Sequence, residues 1–343
     1  MNPQENTLNI RAVEGYLEKN LSGFKGPLSA EKFDVGQSNP TYLLRTPDQS
    51  FVLRRKPAGV LLKSAHAVDR EFRVQSALAD SKVPVPEMYL LCEDDAVIGS
   101  AFYVMEYREG RSFVDPTMDG VDKATRTGIM DEMNRVLAEL HMVDIEAVGL
   151  SDFGPPGNYF ERQISRWTQQ YRATQTEQIG DMDLLISRLD HELPQDDGQR
   201  TLVHGDYRID NLLFQQDGTD CVAVLDWELS TIGHPYADLA AVIMQWQLPP
   251  GKEGRGLAGV DREALGLPSD AAFVADYCKR CGRKEIEHFG FYLAFNFFRM
   301  AGILQGVYKR SLDGNASDPV RAQKFGAYVP IFAKHGLAAL DSQ

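Results

Sequence analysis

Cysteine is scarce in this chain, four residues in 343, which is too few to staple a core of this size. A disulfide framework is therefore excluded, and a reducing compartment is the expectation. Basic residues are the second shortage, with 36 Lys and Arg against 49 Asp and Glu for a formal net charge of −13. Binding along a nucleic-acid backbone needs clustered cations, so no nucleic-acid partner is expected. Long apolar runs are missing as well. The most apolar helical stretch, Phe289 to Val307, carries Asn296, Arg299 and Gln305, which lipid would penalise heavily. The opening stretch lacks the charged-then-apolar pattern of a secretory leader. The expectation is a soluble, cytoplasmic protein with no membrane association.

Several reactive signatures are also missing. No GxxxxGK[ST] loop occurs, no GxSxG elbow occurs, and His191-Glu192 is not followed by the second His of a metalloprotease helix. Cys278 and Cys281 have CxxC spacing, but Cys92 and Cys221 stand alone. Thiols on a helix face are thus a better reading than a zinc or redox site.

What is present is ordinary globular composition, 43% hydrophobic and 25% charged, in a chain long enough for two packed lobes. Leu8, Val13, Tyr16, Leu17 and Leu21 have helical spacing. Strand patterns follow in KFDVGQSNPTYLLRT and SFVLRRKP, joined by a turn at Pro47 to Ser50. The loop Gly36-Gln37-Ser38-Asn39-Pro40 interrupts the first of these. Its small residues either let backbone N–H groups reach phosphate oxygens or merely turn a hairpin. Arg54 follows on the next strand, placed to contact phosphate or to pair with a carboxylate.

The carboxylate candidate is Glu71, on a predicted helix whose apolar side is Val68, Phe72, Gln75, Leu78 and Ala79 and which Pro84 and Pro86 terminate. A solvated Glu71 is the plain alternative. EMYLLCEDD and SAFYVMEYREG read as two strands around an acidic turn, Glu93 to Asp95. Glu106 and Tyr107 then leave the sheet at a crossover whose backbone suits an adenine edge. The division expected is 1–107 as a nucleotide-binding sheet lobe with a helix, and 108–343 as a helical lobe.

In the second part, Ile129, Met133, Val136, Leu137 and Leu140 form an apolar stripe ending at His141, read as a structural helix terminus. The chemistry concentrates in Thr201 to Trp227, TLVHGDYRIDNLLFQQDGTDCVAVLDW. His204-Gly205-Asp206 precedes Asn211 by a fixed interval, and an apolar run ends in Asp226. Phosphoryl transfer from a metal nucleotide needs one carboxylate to orient and deprotonate an acceptor hydroxyl, and other oxygens to hold Mg²⁺ against the phosphates. Asp206 suits the first role, Asn211 and Asp226 the second. Asp238 is read as a structural residue at a helix start, bonding the backbone near this loop. Residues 249–269, rich in Gly and Pro, form a lid or a plain connection. Helices are expected near 286–308 and 318–336, and Asn296 and Arg299 mark either an acceptor pocket or buried hydrogen bonds.

In combination, the Gly36 loop, Arg54, Glu71, the crossover, HGDxxxxN and LDWE resemble the aminoglycoside phosphotransferase family, which includes choline and homoserine kinases. The resemblance implies an α+β, two-lobed protein-kinase-like fold with a small antiparallel sheet and a mainly helical second lobe. It implies ATP and Mg²⁺ as cofactors and a small-molecule hydroxyl acceptor. It implies Asp206 as catalytic base, Asn211 and Asp226 as metal ligands, and Arg54 paired with Glu71. Arg stands where Lys is usual, and Trp227-Glu228 where Phe-Gly is usual. FVLRRKP, NYFERQISRW and LDWELSTIGHPYADLA resemble the subgroup fused to acyl-CoA dehydrogenases in animals, so the acceptor implied is a hydroxyacyl thioester. Aminoglycosides or amino alcohols are the alternative, and a nucleotide-binding pseudokinase is the competing class.

Overall fold

The computed structural model describes residues 8–33, 39–57, 67–251, 253–316 and 318–342. The amphipathic opening forms helix α1 (Ile10–Asn20), with Asn9 capping its first turn. Strands β1 (Ser29–Lys32), β2 (Thr41–Arg45) and β3 (Ser50–Arg55), helix α2 (Val68–Ala77), strand β4 (Met88–Cys92), short helix α3 (Asp95–Ile98) and strand β5 (Phe102–Glu106) follow. The five strands make one antiparallel sheet in the order β1-β2-β3-β5-β4.

Period-two alternation sorts the strand residues between two faces. Tyr42, Leu44, Phe51, Leu53, Phe102 and Val104 pack with Val13 and Leu17 of α1, whereas Val52, Tyr103 and Met105 pack with Val68 of α2. Arg54 shares the parity of Val52 and lies opposite Tyr103 in register, so it is sent toward α2. That helix is buried along two flanks, because Val68 joins the sheet's cluster while Val74 and Leu78 join the core of the helical lobe. The buried arc therefore differs from the one periodicity predicts. Glu71 and Val74 are inside, Phe72 is only half-buried and Ala79 is exposed. The solvated reading of Glu71 is overturned.

The helical lobe runs through α4 (Lys123–His141), α5 (Tyr159–Thr174), α6 (Gly180–His191), β6 (Thr201–Val203), β7 (Leu212–Phe214), β8 (Cys221–Val224), β9 (Thr231–Gly233), α7 (Tyr236–Trp246), α8 (Arg262–Leu265), α9 (Asp270–Arg280), α10 (Phe289–Leu312), α11 (Pro319–Phe325) and α12 (Val329–Asp341). β6 pairs with β9, and β7 with β8, both antiparallel. The expected stripe of α4 is wholly buried. The crossover from the sheet is pinned to β7 by reciprocal Arg111–Phe214 backbone hydrogen bonds of 2.8 and 2.9 Å. Gly110 permits the approach, since a Cβ there would lie 2.5 Å from the Phe214 oxygen.

Four boundaries differ from expectation. Asp95 opens α3, capped by Asp94, instead of lying in a turn. α7 begins two residues before Asp238, which leaves Asp238 in the first turn and not at the cap. The last predicted helix is split by a 3₁₀ turn at Gly326–Tyr328 and runs to Asp341. The 249–269 segment is a connection pinned at several points and containing α8, with Arg255 Nη1 2.5 Å from Asp210 Oδ2. Asn296 donates to the carbonyls of Ala237 and Tyr292, so it serves helix packing. Cys278 is buried and Cys281 half-buried, both free. Among the described residues no three His, Cys, Asp or Glu side chains gather as a metal site, and no helix is long and apolar enough to cross a membrane.

Candidate active site

β6 delivers the chain to His204, and the backbone turns sharply at Gly205, with φ at +83°. A Cβ on Gly205 would fall 2.6 Å from the Leu229 oxygen, so both the left-handed conformation and the contact demand glycine. The loop is clamped from behind. Asp238 accepts the His204 N–H at 2.6 Å and the Gly205 N–H at 2.9 Å, and Arg299 donates to the Gly205 carbonyl at 3.0 Å. His204 is fully buried. Its Nε2 lies 2.9 Å from the Leu225 carbonyl and its Nδ1 accepts the Asp206 N–H at 3.3 Å, a pattern that assigns the proton to Nε2. Its work is to hold the loop.

Asp238 is itself supported by His141 Nε2 at 3.4 Å, and His141 Nδ1 lies 2.8 Å from the Tyr277 hydroxyl. Burial works to raise the Asp238 carboxyl, but the His141 hydrogen bond and charge, with help from His204, outweigh it and hold the group below its ordinary value. His141, expected as a structural helix terminus, is the last residue of α4 and fills that role.

Asp206 projects from this clamped loop with its side chain about one-third exposed (37%). Asn211 ends a 3₁₀ turn and its Nδ2 donates to the Asp206 carbonyl at 2.8 Å and to Oδ2 at 3.2 Å. With its NH₂ committed, Asn211 keeps Oδ1 as the atom for a cation. The Leu225 N–H donates to the Asn211 carbonyl at 2.8 Å, which ties the end of β8 to the same turn. Asp226 follows immediately in a left-handed conformation, φ 65° and ψ 61°, an uncommon state for a non-glycine residue and one that clusters at functional sites.

Arg54 bridges the lobes. Its Nη2 lies 2.6 Å from Asp226 Oδ1 and its Nε 2.9 Å from Glu71 Oε2, with Glu228 at 3.9 Å. Glu71 also accepts Asn39 Nδ2 at 2.7 Å and the Tyr103 hydroxyl at 3.0 Å. Burying a lone carboxylate costs several kcal/mol, about the scale of several core side chains, unless partners of this kind surround it. Burial pushes the Glu71 carboxyl up to about 7, against the downward pull of Arg54 and the Tyr103 hydrogen bond. Burial also works against the Arg54 charge, yet Glu71 and the other carboxylates outweigh it and hold the guanidinium above its ordinary range. Tyr103 is driven upward by burial and then by the Glu71 charge.

The predicted residues thus form two groups joined at Asp226. Arg54 and Glu71 meet there, and Asp206 and Asn211 lie one hydrogen-bonded turn away. The Asn39 side chain is turned inward to Glu71. Gly36 and Ser38 lie outside the described residues. Glu106 and Tyr107 occupy the crossover, where the Glu106 carboxylate is held by Arg108 Nε at 2.6 Å and by the Glu87 N–H at 3.2 Å, and the Glu106 N–H donates to the Glu87 carbonyl at 2.8 Å. Sequence reasoning missed Tyr103, Glu228 and Arg208, whose Nε lies 3.3 Å from Asp206 Oδ1 and whose Nη2 is 3.2 Å from Asp210. Tyr103 was accessible from strand parity, being across from Arg54. Arg208 carried only its position two residues past Asp206.

The profile of the phosphotransferase enzyme family matches residues 29–274. A mouse protein named acyl-CoA dehydrogenase family member 10 is 47% identical over 325 residues, which is 94% of this chain and 30% of that protein. The chain therefore spans about a third of that relative. A crystal structure of a Ralstonia eutropha protein named as an aminoglycoside phosphotransferase superposes with a TM-score of 0.90 at 47% identity, covering 98% of this chain and 99% of the other. The aminoglycoside phosphotransferase APH(4)-Ia, solved with AMP-PNP and hygromycin B, matches with a TM-score of 0.61 at 17% identity over 95% of this chain and 99% of its own, a likeness of fold.

Proposed function

This chain belongs to the phosphotransferase enzyme family, and from that premise we propose that it transfers the terminal phosphoryl group of ATP, with Mg²⁺, to a hydroxyl of a small molecule, a hydroxyacyl thioester. The observation that carries the reading is the joining of Asp206, Asn211 and Asp226 through one turn, with Arg54 reaching Asp226 from the sheet. The nucleotide-bound fold relative supports ATP as donor, and the relative named for acyl-CoA supports the acceptor class.

Asp206 accepts the proton of the acceptor hydroxyl and orients its oxygen, while the hydrogen bond from Asn211 and the ion pair with Arg208 keep the carboxylate aimed. Asn211 Oδ1 and the Asp226 carboxylate would hold Mg²⁺, a donor set that suits a cation taking few protein oxygens and completing its shell with phosphates and water. Bound there, the metal supplies neutralisation of the phosphate charge. Arg54, positioned by Glu71, sets the orientation of Asp226 and presents a fixed cation to the nucleotide. In this reading residues 1–107 hold the nucleotide and 108–343 supply the base, the metal ligands and the acceptor site.

The test is turnover with Mg-ATP against hydroxyacyl-CoA thioesters, free hydroxy acids and aminoglycosides. Phosphorylation of a thioester is expected, with Asp206→Asn lowering kcat by roughly 10²–10⁴-fold while AMP-PNP binding is kept. Absence of transfer to every acceptor, with nucleotide binding intact, would leave a binding module in place of an enzyme. Unchanged kcat in Asp206→Asn would remove the base.

A further inference from the structure

An open groove of about 1090 Å³ runs beside the start of α2, between Lys56 and the 151–156 loop, and it does not include Arg54. Its lining inverts the charge of the chain. Lys56, Arg70, Arg166 and Arg200 face two carboxylates, Asp69 and Asp152, on a protein of net charge −13. Both carboxylates are engaged, Asp69 by Lys56 at 3.5 Å and Asp152 by Arg73. Arg70 is engaged too, donating to the carbonyls of Phe153 and Ser230 and lying over the Phe153 ring. Arg166 and Arg200 are exposed, and neither has a carboxylate within ion-pair distance among the described residues. Arg166 lies over the Trp167 ring, and two exposed guanidiniums without a carboxylate in a groove of this size are a receptor for an anion of the phosphate type.

The groove is connected to the catalytic loop by the β6–β9 ladder. Thr231 lines it and pairs with Val203, three residues before Asp206, so at most about 10 Å of chain separates Val203 from Asp206. Leu229, whose carbonyl covers Gly205, is an apolar side chain beside that loop and is 49% exposed.

We infer that the groove seats the anionic, phosphate-bearing end of the acceptor through Arg166 and Arg200, while an apolar segment passes Leu229 and the hydroxyl reaches Asp206. This rests on the phosphotransferase reading and specifies the acceptor as a long molecule with its charge remote from its hydroxyl, as in a hydroxyacyl thioester of coenzyme A. A compact amino sugar does not span that distance with an anion at its far end.

The experiment titrates coenzyme A, and pantetheine, which lacks its adenosine and all its phosphates, into protein saturated with AMP-PNP so that the nucleotide site is filled. Wild type is expected to bind coenzyme A at least about 10-fold more tightly than pantetheine, with the preference shrinking as salt is raised. In Arg166→Glu/Arg200→Glu the preference should vanish, with AMP-PNP affinity unchanged as the control for folding. The single variant Arg166→Gln should lose part of it. Equal binding of the two ligands by wild type, or an undiminished preference in the double variant, would overturn the groove assignment and leave the phosphotransferase reading standing. Failure of wild type to bind AMP-PNP would instead remove the nucleotide reading.

Discussion

Between about pH 4.5 and 7 the folded chain retains a proton on Glu71 that the unfolded chain has released, since burial raises this carboxyl to about 7. The native state then binds more protons than the unfolded state, so this group's contribution to stability falls as pH rises through that window and is level above it. Function runs the other way, because only the ionised carboxylate fixes the Arg54 guanidinium at 2.9 Å. AMP-PNP affinity should therefore weaken several-fold as pH drops from 8 to 6 in wild type. Glu71→Gln should bind weakly and without that slope, and denaturant unfolding should show wild type losing stability relative to it between pH 5 and 7. Parallel pH profiles for the two proteins would show that Glu71 does not titrate there.

At the scale of elements, the His204–Asn211 loop is held by helices distant in sequence. α7 supplies Asp238 to two loop N–H groups, α10 supplies Arg299 to the Gly205 carbonyl, and α4 and α9 support Asp238 through His141 and Tyr277. A short turn ending in a left-handed glycine has little rigidity of its own, so the helices provide it. Asp238→Ala should cost about 3–5 kcal/mol in urea unfolding, because the buried His204 N–H and the half-buried Gly205 N–H lose their acceptor. Asp238→Asn, which keeps one acceptor oxygen, should cost less. Equal stability of Asp238→Ala and wild type would mean that water replaces the carboxylate without loss.

At the scale of the molecule, the sheet lobe and the helical lobe are joined by the chain crossover, by the shared packing of α2, and by the Arg54–Asp226 ion pair spanning 172 residues of sequence. Asp226 belongs to both the interlobe contact and the proposed metal shell. Asp226→Ala should flatten the Mg²⁺ dependence of AMP-PNP binding, from about 10-fold or more in wild type to threefold or less, because a charged oxygen ligand is removed. Magnesium titrations superimposable on wild type would exclude Asp226 as that ligand.

The sequence by itself determined what short stretches of backbone control. Period-two and helical patterns set most element types, and the spacing in HGDYRIDN places Asn211 against Asp206 because both lie on one tight turn, whereas α2 ends at Ala77, well before the prolines expected to terminate it. Only the tertiary structure decided what surrounds each charge. Asn39 turned inward, Glu71 became a buried ion-pair partner, Asp238 and Arg299 closed on Gly205 from two helices packed against each other, and a basic groove appeared on an acidic chain. The physical reason is range. A turn is set by dihedrals a few residues apart, whereas the state of a buried charge depends on groups that folding brings within a few ångströms from anywhere along the chain, and residue spacing does not encode those neighbours.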